Sequence, residues 1–77
     1  MAVSIYTTPS CGYCRIAKDF FQKNGVSYTE YDVARDPQKA QEMVRKSGQM
    51  GVPVIDVHGR IIVGFNQQEI EKALHRA

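Results

Sequence analysis

Cys11 and Cys14 are the only cysteines of the 77-residue chain, with two residues between them. A thiol reacts as its thiolate, so a catalytic cysteine needs a place where negative charge is stabilised while the sulfur stays accessible. A strand running into a helix offers one, because unpaired backbone N–H groups and the helix dipole both favour an anion. The local pattern predicts that junction. Val3, Ile5 and Tyr6 form an apolar run that stops at Thr7-Thr8-Pro9-Ser10, and from Gly12 to Asn24 the residues Tyr13, Ala17, Phe20 and Phe21 recur at helical spacing. Cys11 then sits just before or at the first helical residue, with the N–H groups of Tyr13 and Cys14 pointing outward, and a lowered thiol pKa is expected. No acid precedes Asp19, whereas Arg15 and Lys18 follow closely, so the nearby formal charges also favour thiolate. Cys14, one turn in, is expected beneath Cys11 and less exposed. At this spacing both sulfurs share one helix face, near enough for a disulfide after small rotations.

Thiol–disulfide exchange follows from that geometry. Cys11 attacks a substrate disulfide, a mixed disulfide forms, and Cys14 attacks Cys11 to release the reduced product. Two other readings compete: a zinc half-site and an inert pair in the core. Zinc needs further ligands, but the chain holds no second C-x-x-C, and His58 and His75 fall in a predicted turn and a terminal helix. No metal site is expected from these protein ligands.

The remaining elements must position the pair. Val26 to Val33 is rich in β-branched and aromatic residues and predicts a second strand. Asp36-Pro37 supplies an N-cap and a proline at the first helical position, Ala40, Met43 and Val44 share a face, and Gly48 ends this second helix. Pro53 opens an apolar run to Val57, His58-Gly59 turns the chain, and Ile61 to Val63 returns as a hairpin. Asn66 and Glu69 match a capping box, and Ile70, Ala73 and Leu74 give a last helix its apolar face. The order is β-α-β-α-β-β-α, an α/β chain whose three helices can cover both faces of one mixed sheet. Phe20, Phe21, Met43, Ile70 and Leu74 are expected in the core, and Lys39, Arg45, Lys46 and Lys72 on solvated helix surface.

Length and composition narrow the rest. A chain of this size supports one domain, residues 1–77, and its evenly spread aliphatic residues argue against disorder. Two cysteines so close together close too small a loop to act as a stability staple. A formal charge of +2, with scattered Lys and Arg, excludes a phosphate-tracking surface, so nucleic acid is not an expected partner. Met1 to Tyr6 shows neither a basic leader region nor a long apolar stretch, and no window reaches membrane-span length, so a cytoplasmic monomer without membrane contact is expected.

Ile5-Tyr6-Thr7-Thr8-Pro9-Ser10-Cys11-Gly12-Tyr13-Cys14-Arg15-Ile16-Ala17-Lys18, then Gly51-Val52-Pro53-Val54-Ile55, then Val63-Gly64-Phe65, resemble a glutaredoxin over essentially the whole chain. The resemblance implies a thioredoxin fold with a four-stranded sheet, and a cis-proline at Pro53 facing the cysteines. Such a turn leaves the Val52 backbone N–H and C=O free to pair with an extended thiol partner. It also implies no tightly bound cofactor, with glutathione as co-substrate between this turn and the start of the last helix, where Gly64, Phe65, Asn66 and Gln67 lie, and with Thr8, Gly12 and Tyr13 beside the nucleophile. Four positions depart from the usual pattern: Thr8 replaces a lysine, Gly51 a threonine, Val63 the first of paired glycines, and Asn66-Gln67 the acids. Gly64-Phe65 instead resembles the glutaredoxin-like electron donors of ribonucleotide reductase, which take electrons from thioredoxin reductase. The implied activity is reduction of protein disulfides or glutathione mixed disulfides. Some members with glycine after the first cysteine instead hold an iron–sulfur cluster between two protomers through that cysteine and glutathione, and Gly12 permits this alternative.

Overall fold

The computed structural model describes residues 3–75. Its centre is β1 (Val3–Thr7), buried along its length except at half-buried Ser4. β1 pairs in parallel with β2 (Thr29–Asp32) and antiparallel with β3 (Val54–Val57), and β3 pairs antiparallel with β4 (Arg60–Val63). The strand order is β2-β1-β3-β4. A parallel neighbour requires a crossover, which α1 (Gly12–Lys23) provides; α2 (Pro37–Ser47) joins β2 to β3, and α3 (Gln67–Leu74) follows β4. This is the mixed four-stranded sheet with three helices that the sequence predicts.

Alternation along β1 divides the core. Val3 and Ile5 face Ala17 and Phe21 of α1 and Ile70 and Ala73 of α3, whereas Tyr6 faces Met43 of α2 beside Val54. Helices therefore cover both faces, α1 and α3 on one and α2 on the other. Phe20 and Leu74 pack against the first cluster from partly buried positions.

Several boundaries differ from the sequence reading, each for a local reason. Thr7 belongs to β1 and is buried, not part of the loop. β2 is shorter than Val26–Val33: the Val26 N–H is taken by the Phe21 carbonyl at the end of α1, 2.9 Å away, and Asp32 turns the chain by accepting from Ala34 N–H at 3.0 Å. β3 begins at Val54, after Pro53, which has no N–H to give a ladder. Tyr13 does not share the buried stripe of α1, which runs through Cys14, Ala17 and Phe21; it is 67% exposed. The capping box at α3 is half formed. Asn66 Oδ1 accepts from Glu69 N–H at 3.2 Å, but the Glu69 carboxylate is held by Arg60 at 2.7 Å.

Two lysines expected on solvated surface are engaged instead. Lys46 Nζ bridges Asp56, 2.9 Å away, and the hydroxyl of fully buried Tyr6, 3.1 Å away, while Tyr6 donates to Glu42 at 2.5 Å. Lys39 Nζ sits over the Tyr31 ring, 4.2 Å from its centroid, and pairs with Glu42. Burial first, then the Glu42 carboxylate, pushes the Tyr6 phenol up, and the Asp56 hydrogen bond holds Lys46 charged to well above the ordinary lysine range. A tyrosine can thus be wholly buried between sheet and α2 because each polar valence of its hydroxyl is used. His58 (φ 54°) and Gly59 (φ 93°) make the β3–β4 turn and are both exposed, as is His75.

Phe21 has no exposed surface and joins both helices of its face to the sheet. Phe21→Ala is expected to cost about 3–5 kcal/mol, whereas Asp36→Ala, which removes the carboxylate that accepts from Gln38 and Lys39 N–H at the start of α2, should cost about 1 kcal/mol. Urea unfolding of the two variants, compared at constant slope, measures both.

Candidate active site

β1 delivers the chain to a turn in which Cys11 N–H donates to Thr8 C=O at 3.3 Å, and Cys11 itself is the N-cap of α1. No Ser, Thr or Asp performs that capping: the Cys11 sulfur accepts the Cys14 N–H at 3.1 Å. The same donor that satisfies the helix end therefore points at the sulfur on which a thiolate charge would reside. Cys11 and Cys14 are joined as a disulfide, their Cα atoms 5.3 Å apart, with Cys11 half-buried and Cys14 1% exposed. The outer sulfur is the one a substrate can reach. Gly12 is exposed, and a Cβ there would meet nothing within 4 Å.

Strand register assembles the other side of the site. Tyr6 lies opposite Val54, and Val54 opposite Val63, so the ends of β1 and β4 and the start of β3 share one edge of the sheet. Val52 and Pro53, joined by a cis peptide bond, stand there. Gly64 (φ 79°) is clamped to them through its N–H on Pro53 C=O, at 2.8 Å. Neither the N–H nor the C=O of Val52 bonds to any group among the described residues. Phe65 turns its ring edge-on to Phe20, centroids 5.9 Å apart, and with Ile16 and Gln67 lines a shallow groove of about 310 Å³. Asn66 caps α3 with its side chain, and Gln67 is exposed at the first position of that helix.

The cations near the pair divide. Arg15 is exposed with no ion-pair partner among the described residues, but Lys18 is bound to Glu30 at 3.0 Å, which offsets its charge. Glu30 also accepts from the hydroxyl of buried Thr7 at 2.8 Å. The Lys18 hydrogen bond first, and Thr7 second, holds the Glu30 carboxyl below its ordinary value of 4.5. Sequence reading did not single out Glu30 or Met50; it placed Thr7 in the loop and Val63 at the end of a strand, as a departure from the glutaredoxin pattern. Tyr13, Ile16, Met50 and Val63 are the exposed large hydrophobics among the described residues, at 67%, 47%, 78% and 52%. Tyr13 and Ile16 lie on the first turns of α1, Val63 at the end of β4, and Met50 in the loop between α2 and β3. For Val63 a signal existed in the unbroken Ile61-Ile62-Val63 run, since a strand must turn alternate residues outward.

Comparison with known proteins agrees with this arrangement. The family model for glutaredoxin matches residues 3–62. The chain belongs to the glutaredoxin family. With its dithiol pair it is a glutaredoxin-like thiol–disulfide oxidoreductase. An uncharacterised glutaredoxin-like 8.6 kDa protein in a rubredoxin operon of Clostridium pasteurianum is 39% identical over 74 residues, 96% of this chain and 99% of that one. Glutaredoxin 3 of Escherichia coli strain K12 is 37% identical over 62 residues, 80% of this chain and 75% of that protein. Among solved structures, the glutaredoxin-like protein NrdH-redoxin from Escherichia coli superposes with a TM-score of 0.87 at 28% identity, covering 100% of this glutaredoxin-family chain and 99% of that one. No helix among the described residues is long and apolar enough to cross a membrane, and no three His, Cys, Asp or Glu side chains among them form a group that could hold a metal ion.

The Glu30 pair has a pH signature. A carboxyl with a depressed pKa in the folded state stabilises the fold above its unfolded pKa, and that contribution disappears as pH falls through the folded value. Glu30→Gln should therefore be less stable than the parent at neutral pH, with the two converging in acid below the ordinary carboxyl value of 4.5. Urea midpoints of both proteins across that range give the difference; a gap that persists in acid would exclude the carboxylate as its source.

Proposed function

We propose that the protein reduces disulfides of protein substrates, with Cys11 as nucleophile and Cys14 as resolving thiol, in a reducing compartment such as the cytoplasm. The observation that supports this reading is the half-buried Cys11 sulfur capping α1 beside buried Cys14, with Tyr13 and Ile16 of the first turns of that helix exposed as apolar side chains. Exposed apolar groups next to the pair in sequence suit a protein surface, since they gain by being covered. Val52 adds an unpaired backbone donor and acceptor for an extended segment beside the substrate disulfide.

In the reaction the Cys11 thiolate attacks one substrate sulfur, forming a mixed disulfide and releasing the other substrate sulfur as a thiolate that takes a proton. Cys14, giving up its own proton, attacks the Cys11 sulfur; the Cys11–Cys14 bond forms and the second substrate thiol leaves. Two electrons pass from dithiol to substrate, and an external reductant must restore the pair.

Two reductants are in view. Glutathione is the co-substrate implied by the glutaredoxin pattern, with Thr8, Gly12, Tyr13, Val52, Pro53, Gly64, Phe65, Asn66 and Gln67 around it. Thioredoxin reductase is favoured by the absence of the usual lysine at Thr8 and of acids at Asn66-Gln67, and by the likeness to NrdH-redoxin, whose structure is described as explaining a thioredoxin-like activity profile. We favour the second, with the protein acting as a dithiol electron donor. Purified protein supplied with NADPH and thioredoxin reductase should reduce a disulfide substrate faster than with NADPH, glutathione and glutathione reductase. The reverse order makes glutathione the reductant. Cys11→Ser should reduce turnover to background, and an active Cys11→Ser variant would overturn the mechanism; Cys14→Ser should accumulate a mixed disulfide visible by mass.

A further inference from the structure

Immediately before Val52 the chain carries a device that the reaction scheme leaves unused. The Gln49 carboxamide closes two hydrogen bonds on a single residue: Gly51 N–H donates to Gln49 Oε1 at 2.8 Å, and Gln49 Nε2 donates to Gly51 C=O at 2.8 Å. An antiparallel strand offers a facing residue the same adjacent donor and acceptor. The side chain thus occupies at Gly51 the pairing that an incoming extended segment would otherwise make there, and it stops where Val52, with neither backbone group bonded, begins.

The clamp is anchored in the core. Gln49 N–H donates to Ser47 Oγ at 3.3 Å, and the Ser47 hydroxyl lies 2.7 Å from the carbonyl of Met43, a residue buried between α2 and the sheet. Gly51 is matched to it. Its φ lies outside the left-handed region, so backbone conformation does not call for glycine; a Cβ there would come 2.7 Å from Gln49 Oε1. Any side chain at this position would push the carboxamide away.

We propose that Gln49 is a positioning residue that holds the approach to Val52 in its pairing-competent form and confines substrate pairing to Val52, with Gly51 left bare so that the carboxamide fits. The proposal rests on the reading of the protein as a reductase of extended disulfide segments. It separates substrates by chemistry: a disulfide within an extended peptide uses the turn, whereas a small aromatic disulfide reacts at Cys11 without it.

Steady-state kinetics of Gln49→Ala, Gly51→Ala and the double variant, on a disulfide-bonded peptide and on a small aromatic disulfide, test this. For the peptide, KM should rise about tenfold in either single variant, the size expected when a Val52 no longer held in its pairing-competent form loses one or two net hydrogen bonds to the substrate, with kcat within about twofold. The small disulfide should show no such rise. The double variant should be no worse than a single one, because both changes break the same clamp. Amide exchange at Gly51, followed by NMR in the oxidised protein, should accelerate in Gln49→Ala. An unchanged peptide KM, an equal loss on both substrates, additive effects in the double variant, or unaltered Gly51 exchange would each overturn the role of Gln49. A parent protein inactive on both substrates would overturn the underlying reductase reading, a result distinguishable because it appears before any substitution.

Discussion

The register of the central strands places Tyr6 opposite Val54 and Val54 opposite Val63, and every part of the site depends on it. Cys11 leaves the end of β1, Val52-Pro53 enters the start of β3, and Gly64 follows β4, so three segments far apart in sequence meet at one sheet edge. A slip of one residue in either pairing would turn the buried faces of β3 and β4 outward and carry Val52 away from the cysteines. Burial enforces the register. Ile5, Tyr6, Val54 and Ile55 have no exposed surface, and each would lose its packing in any other alignment.

The two faces of the sheet are stabilised differently. Beneath α1 and α3 the contacts are apolar, led by Phe21 and Ile70, and they fix the helix whose N-terminus carries the pair. Beneath α2 a buried tyrosine is satisfied by Glu42 and Lys46, with Asp56 holding the lysine. Such a network specifies one arrangement, because an unpaired hydroxyl in that position would be costly. Through Met43 and Ser47 this face also sets the loop that leads to Val52. Arg15 is the exposed cation nearest the pair in sequence.

Much of this was legible in the residues alone. Element order followed from periodicity and from caps that the structure contains: Asp36 and Asn66 at helix starts, Gly48 (φ 75°) at a helix end. The chemistry was legible from Cys11 and Cys14 at a strand-to-helix junction, where a thiolate is stabilised by local backbone groups. What escaped were features that one segment cannot announce. Lys46 reads as surface until the fold brings Asp56 and Tyr6 to it, and Lys18 reads as a charge near a thiol until Glu30 crosses over from β2. Tyr13 reads as part of an apolar stripe, yet the stripe that faces the sheet passes through Cys14, Ala17 and Phe21, leaving Tyr13 exposed.

By itself, then, the sequence determined the local terms: which stretches are strands and helices, where they cap, and which pair of side chains can exchange electrons, because those depend on neighbours a few positions apart. Tertiary structure decided which segments meet, that Val52 keeps its backbone groups unpaired while Gln49 takes those of Gly51, and that Tyr13, Ile16, Met50 and Val63 stay exposed. These are relations across the sheet, set by long-range register and burial, and no spacing within a single element encodes them.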